Sequence, residues 1–355
     1  SGVKSWYLRI SYSGRVTDIA LGRWPEISLM QARQEARRRR KTLGLEPPRG
    51  YVLNDAFKLW CGLKKGRIVS YADERRRLER YLIKPLGRRQ IDEISAPLVI
   101  TTVKHIEAEG HQATLKRVLM RTHEILDLAV CAGYIHHNPC ERLSRVFAAP
   151  VVTPMPAPEW HELPNIMQVM KSAPVRMRIL FLFSTCSMLR PGENAKLKRS
   201  WIDGDILTIP AKEMKMGRMH RVPLTVFMKQ LLEAELRLSP HPRGDVIFAA
   251  KQAGKHISTQ TLAKYLHSTQ LSGKLVAHGL RSMARSWMAD QEISFEVAEA
   301  CLSHVAGSSV SRAYQRSDFL TARVLVMTRW STFIKRCARE ADMLDGILEP
   351  ERDKI

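Results

Sequence analysis

Four groups of side chains in this 355-residue chain are of types that bind or transfer a phosphate. The first centres on Arg190. It follows the apolar run Ile179, Leu180, Leu182 and Phe183 and precedes Pro191-Gly192-Glu193. Proline fits the first position of a new helix, and an acid at the third position suits its positive end. Arg190 is thereby expected at a helix N-terminus, where backbone N–H groups and a guanidinium can share one anion. The second is His278-Gly279-Leu280-Arg281. Leu280, Met283, Ala284, Trp287 and Met288 have the spacing of a buried helix face. His278 and Arg281, three apart, share one side of its start. The third pairs His304 with Tyr314. Phe295, Ala298 and Leu302 mark an apolar stripe ending at Ser303-His304, a Gly307-Ser308-Ser309 turn follows, and Val310, Ala313 and Tyr314 fall on one helical face. The fourth is a hairpin: 206–210 and 219–224 read as strands, with Lys212, Lys215, Arg218 and Arg221 on or near the turn.

Taken singly, each has an ordinary structural explanation. An arginine can sit in a surface ion pair, an isolated H-x-x-R is a weak motif, a tyrosine on an apolar stripe is usually core, and a hairpin-tip lysine is usually only solvated. Cys131, His136, His137 and Cys140 could be drawn together as a zinc set, but their spacing matches no familiar site. No metal or other cofactor is therefore expected.

The elements that must position these groups fall into three segments. In the first, Trp6, Leu8 and Ile10 alternate as in a strand, Ser13-Gly14 turns the chain, and a second strand ends near Leu21. Ser28 with Gln31 reads as a capping box. The helix behind it carries Arg33, Arg37, Arg38, Arg39, Arg40 and Lys41, and Gly44 is a natural stop. After Pro47-Pro48-Arg49-Gly50, the second segment, 51–147, reads as an all-helical basic bundle. Ser70 with Asp73 gives another expected capping box, Ser95 and Pro97 start a helix that stops at Gly110, and a further helix runs from about Gln112 to Gly133. Prolines at 150, 154, 156 and 158 make 148–158 an extended connector. The third segment, about 159–340, mixes helices with the hairpin, and 341–355 reads as a tail. The fold class is therefore mainly α with small β elements.

Net charge is +22, which makes a polyanion the expected partner, with nucleic acid ahead of an anionic membrane. The apolar run around 179–183 falls far short of the roughly 18 residues a spanning helix needs. Six scattered cysteines without a C-x-x-C pair suit reduced thiols in a cytosol.

In order along the chain these residues resemble the signature of the tyrosine recombinases, and in particular the integrases of phages, satellite phages and genomic islands. The likeness lies in LRPGE around Arg190, MKMGRMHRVPLT after Pro210, HGLR, LSH and AYQRSDFL. It extends into the region of Met327 to Trp330. LGRWPEISL is similar to the arm-binding domain of such integrases, and GYIHHNPC to the end of their core-binding domain. The resemblance implies a partial arm-type DNA-binding domain over 1–46 (a sheet plus a helix, short of its first strand or two), a helical core-binding domain over 51–147 and a mixed α/β catalytic domain over 159–340. One departure is local: the usual Thr-Gly before the first arginine is here Ser184-Thr185-Cys186-Ser187.

The same resemblance implies phosphoryl transfer without a metal. Tyr314 attacks a backbone phosphate, leaving a 3′-phosphotyrosine and a free 5′-hydroxyl. Arg190 and Arg281 neutralise the non-bridging oxygens. Lys215 protonates the departing oxygen, His278 assists proton transfer with Tyr314, His304 donates a hydrogen bond to the phosphate, and Glu193 orients Arg190 or its neighbours. Implied partners are double-stranded DNA at attachment sites, three further copies of the chain in a tetramer on DNA, a directionality factor and a DNA-bending host protein, in a bacterial cytoplasm. A non-enzymatic DNA-binding regulator, a chromosome-dimer resolvase and a type IB topoisomerase are the competing readings; the N-terminal arm-like segment favours an integrase.

Overall fold

The computed structural model describes residues 3–12, 15–43, 50–141, 143–147, 156–304 and 317–348. The turn at Ser13-Gly14, Gly44 and most of both proline-rich stretches lie outside them. So do Tyr314 and the Gly307-Ser308-Ser309 turn. The chain divides into two compact units, Ser1–Val152 and Thr153–Ile355.

The first unit opens with two antiparallel strands, β1 (Ser5–Tyr12) and β2 (Arg15–Arg23), paired from Ser5 opposite Arg23 to Tyr12 opposite Arg15 with a one-residue shift between Trp6 and Tyr7. Leu8 is buried, as its place in the alternation requires. Helix α1 (Leu29–Thr42) begins with the expected capping box. The Ser28 N–H donates to Gln31 Oε1 at 2.9 Å, and the Gln31 N–H donates to Ser28 Oγ at 3.3 Å. Arg33, Arg37, Arg38 and Arg39 are exposed along α1, and Arg40 is half-buried. Arg38 and Arg39 share Glu35, at 3.1 and 2.9 Å.

The bundle that follows consists of α2 (Leu53–Lys64), α3 (Tyr71–Leu78, continued by a π turn over Glu79–Ile83), α4 (Ala96–Ala108) and α5 (Gln112–Cys131). Its core is Leu53, Trp60, Val99, Val103, Ile106, Leu115, Ile125 and Leu126. The Ser70–Asp73 box does not form. Ser70 takes φ −92°, ψ 23° rather than the extended conformation that aims a cap hydroxyl back at the helix, and Asp73 pairs with Arg76 at 3.3 Å instead.

The second unit is built around α7 (Val175–Ser187), preceded by α6 (Leu163–Met170). From Arg178 to Ser187 every side chain of α7 is buried, and a helix enclosed on all sides must be the centre of its unit. Helix α8 (Pro191–Ala195) follows at once. The expected hairpin gains a short third strand: β3 (Ile202–Asp203), β4 (Ile206–Ile209) and β5 (His220–Pro223) form an antiparallel sheet in that order. Helices α9 (Val226–Leu238), α10 (Thr261–His267), α11 (Gly279–Asp290), α12 (Phe295–Cys301) and α13 (Leu320–Glu340) follow among the described residues. Beyond α13, Ala341, Met343 and Ile347 are buried, and Arg178 donates to the carbonyls of Met343 and Asp345 at 2.8 and 2.9 Å.

Candidate active site

Arg190 caps α8 with extended backbone (φ −67°, ψ 147°), and its carbonyl accepts from Glu193 and Asn194 N–H at 2.8 and 3.0 Å. The Glu193 carboxylate turns back on it. Oε2 accepts the Arg190 backbone N–H at 2.9 Å and Oε1 accepts the guanidinium at 3.0 Å. Just upstream the polar run holds this helix in place. Asn194 Nδ2 donates to Ser184 Oγ at 3.1 Å, and Ser187 Oγ donates to Asn194 Oδ1 at 3.2 Å. The bend between α7 and α8 falls on Met188, which takes the left-handed conformation at φ 55° although it is not glycine.

Arg281 lies on the first turn of α11 and is 3% exposed. Its NH1 donates to the Met188 carbonyl, its NH2 donates to the Leu302 carbonyl at 2.6 Å, and NH2 also lies 3.0 Å from His304 Nε2. These donors go to carbonyls and an imidazole rather than to a carboxylate, while Glu193 and Glu299 act on the charge from nearby. Burial, then the nearby charge of Arg190, pulls the Arg281 pKa down from 12.5 to about 10. It is still a cation at neutral pH.

His278 is the N-cap of α11, half-buried. Gly279 beside it has no room for a side chain, because a Cβ there would stand 2.7 Å from the Pro156 carbonyl oxygen. The His278 pKa is pushed down by burial first, then by the charges of Arg281, Arg190, His304 and Lys215. Four sequence-predicted groups, Arg281, Arg190, His304 and Lys215, thus act on the one imidazole of His278. Lys215 is exposed between β4 and β5. His304 follows α12, with Nδ1 2.9 Å from Glu299 Oε2.

Sequence reasoning missed several residues here. One is Glu299, which holds His304 from α12. His220 on β5 is 6% exposed, and its Nε2 is buried with no hydrogen-bond partner among the described residues. Burial, then Arg323, Arg281 and Arg190, drives its pKa from 6.5 to about 3. Arg323 on α13 is fully buried and donates to the Arg221 carbonyl at 2.5 Å. Arg221 in turn binds Asp318, four residues beyond Tyr314, at 2.8 and 2.6 Å. Strand alternation could have flagged an inward histidine in MHRVP; nothing local marks Arg323. Among the described residues no group of three or more His, Cys, Asp or Glu is placed to hold a metal ion, and no helix is long and apolar enough to cross a membrane.

Residues 159–320 match the phage integrase family, 55–146 the phage integrase central domain, and 1–47 an arm DNA-binding domain. Prophage integrase IntA of Escherichia coli (strain K12) is 30% identical over 359 residues, covering 94% of this chain and 86% of that protein. The integrase of Shigella phage Sf6 is 24% identical, covering 96% and 92%. Among solved structures, a lambda integrase tetramer bound to a Holliday junction aligns with a TM-score of 0.61 at 18% identity, over 88% of this chain and 92% of that one. The Tn1549 transposon integrase in complex with circular intermediate DNA aligns at 0.54 and 13% identity, over 78% and 99%. The structural likenesses carry the fold, and the sequence relatives carry the lineage. This chain belongs to the phage integrase family and is a tyrosine-type, site-specific DNA recombinase.

Proposed function

We propose that the chain cleaves and rejoins DNA strands through a 3′-phosphotyrosine at Tyr314, and in doing so integrates or excises a mobile genetic element. The observation that carries the reading is the convergence of Arg190, His278, Arg281 and His304, from three separate parts of the fold, around buried positive charge with no hydrogen-bonded carboxylate on Arg281 among the described residues. Two guanidiniums so placed suit the non-bridging oxygens of a phosphodiester, where negative charge grows in the transition state. Lys215, on the hairpin, protonates the 5′-oxygen as it leaves. His278, held neutral by its surroundings, can accept a proton from the phenol. His304 hydrogen-bonds the phosphate, and Glu193 fixes Arg190. Because the bond energy is stored in the phosphotyrosine, a second strand's hydroxyl can reseal it without ATP.

In this reading 1–46 serves arm-type DNA through Arg33, Arg37, Arg38, Arg39, Arg40 and Lys41. Residues 51–147 bind the core site, 148–158 connect, 159–340 catalyse and 341–355 form the tail. The lambda integrase neighbours are a dimer on a core site and a tetramer on a Holliday junction; the same tetramer on paired attachment sites is proposed here, with a directionality factor and a DNA-bending protein as accessories in a bacterial cytoplasm.

The test is Tyr314→Phe. It removes one oxygen, so folding and DNA binding should persist. Wild type incubated with a nicked attachment-site substrate should give a covalent adduct on a denaturing gel, and the variant should give none. An adduct from the variant means another nucleophile, such as Ser311. No adduct from the wild type on its own site would favour a DNA-binding regulator.

A further inference from the structure

Helix α12 ends in a Schellman motif. The His304 N–H bonds to the Glu299 carbonyl at 2.9 Å and the Ser303 N–H to the Ala300 carbonyl at 3.2 Å, with Ser303 left-handed at φ 52°. This turn folds the chain back so that the side chains of Glu299 and His304, five residues apart, meet: Oε2 lies 2.9 Å from Nδ1. The other carboxylate oxygen accepts Arg285 Nε at 3.0 Å. Arg285 stands one helical turn beyond Arg281 on α11, and Arg281 NH2 lies 3.0 Å from His304 Nε2. Arg281, His304, Glu299 and Arg285 thus form a closed chain of contacts between α11 and the end of α12.

The directions of these bonds determine the tautomer. A guanidinium only donates and a carboxylate only accepts. His304 Nε2 therefore accepts from Arg281, and Nδ1–H donates to Glu299. In this resting arrangement Nε2 carries no proton to give to a phosphate oxygen. It gains one only when the imidazole becomes imidazolium, and the group then facing the new charge from the far side of the ring is Glu299. Among the described residues, Arg281, Arg285 and His278 also act here, and all three are cations or an imidazole rather than acids.

We propose that Glu299 is a positioning residue that acts through His304: its carboxylate holds the ring by Nδ1–H and sustains the imidazolium that donates from Nε2 to the bound phosphate. Arg285 keeps that carboxylate aimed. The arrangement follows the logic of an acid behind a catalytic histidine, and it rests on the assignment of His304 to the phosphate.

The experiment measures single-turnover cleavage of a nicked attachment-site substrate as a function of pH, for the full chain and for Glu299→Gln, Glu299→Asp, His304→Ala and the Glu299→Gln/His304→Ala double variant. Glu299→Gln should slow cleavage roughly 10–100-fold, with unchanged DNA binding, and the deficit should narrow as pH falls and solvent supplies the proton. Glu299→Asp should recover part of the loss. In the His304→Ala background Glu299→Gln should cost nothing further, because the residue it acts through is gone. Losses that multiply in the double variant, or a Glu299→Gln deficit that is the same at every pH, would overturn the proposal and leave Glu299 a structural brace. Full activity in His304→Ala would instead overturn the assignment of His304 to the phosphate, a separate failure.

Discussion

Glu193 holds Arg190 at both ends, accepting its backbone N–H at 2.9 Å and its guanidinium at 3.0 Å while only 5% exposed itself. One side chain thus ends the bend after α7, starts α8 and aims the first arginine. Capping alone accounts for about 1 kcal/mol of stability. The orienting role is separable from it, because an amide can still cap but cannot pair a charge. Glu193→Gln should leave the melting temperature and DNA affinity close to wild type and slow cleavage by roughly 10-fold or more, the scale of a lost orienting partner. Equal losses in binding and cleavage would mean that Glu193 supports the fold alone.

Lys215 is exposed between β4 and β5, and its charge acts on His278. Lys215→Ala should slow cleavage by roughly 10²–10⁴-fold, the usual size of an acid–base contribution. A substrate with sulfur at the bridging 5′ position, a better leaving group, should recover much of that loss. Equal rescue of Lys212→Ala, or no rescue of Lys215→Ala, would move the general acid elsewhere.

His220 makes the fold sensitive to acid. Its pKa falls from 6.5 to about 3 on folding, so between those values the unfolded chain binds a proton that the folded one refuses. Its contribution is fully present above pH 6.5 and is lost progressively as pH drops toward 3. His220→Leu removes this dependence and also the unpaired Nε2, whose burial costs about 1–3 kcal/mol. Denaturant unfolding from pH 7 to pH 4 should therefore show a more stable variant with a flatter profile. A less stable variant at pH 7 would mean that Nε2 has a partner in solution.

Ser303 is held at φ 52° in the turn that presents His304. A left-handed residue other than glycine costs about 1–2 kcal/mol, and glycine returns about 0.5–1 kcal/mol of that as chain entropy. The difference spans about 0 to 1.5 kcal/mol in favour of glycine, so Ser303→Gly should raise stability, read as a shift in the denaturant midpoint with unchanged slope. A lower midpoint would show that the Ser303 side chain makes a contact worth more than the strain.

The amino-acid sequence by itself determined those parts of the site whose partners lie within a turn or two of helix. Arg190 with Pro191 and Glu193, and His278 with Arg281, are read from spacing because helical geometry fixes neighbours three and four residues apart. The Ser28–Gln31 box and the ends of α4 and α5 were legible for the same reason. The Ser70–Asp73 box misled, since the residue types were right and the backbone of Ser70 was not. The Glu299–His304 contact is nearly as local, yet it was hidden: the turn that makes it has serine where glycine would have announced it. Only tertiary structure decided the rest. Arg281 reaches the carbonyls of Met188 and Leu302, 93 and 21 residues away in sequence. His220 resists protonation down to about pH 3 because burial excludes water and Arg323, Arg281 and Arg190 crowd it from other elements. Charge state and desolvation belong to the packed environment, and no window of sequence contains that environment.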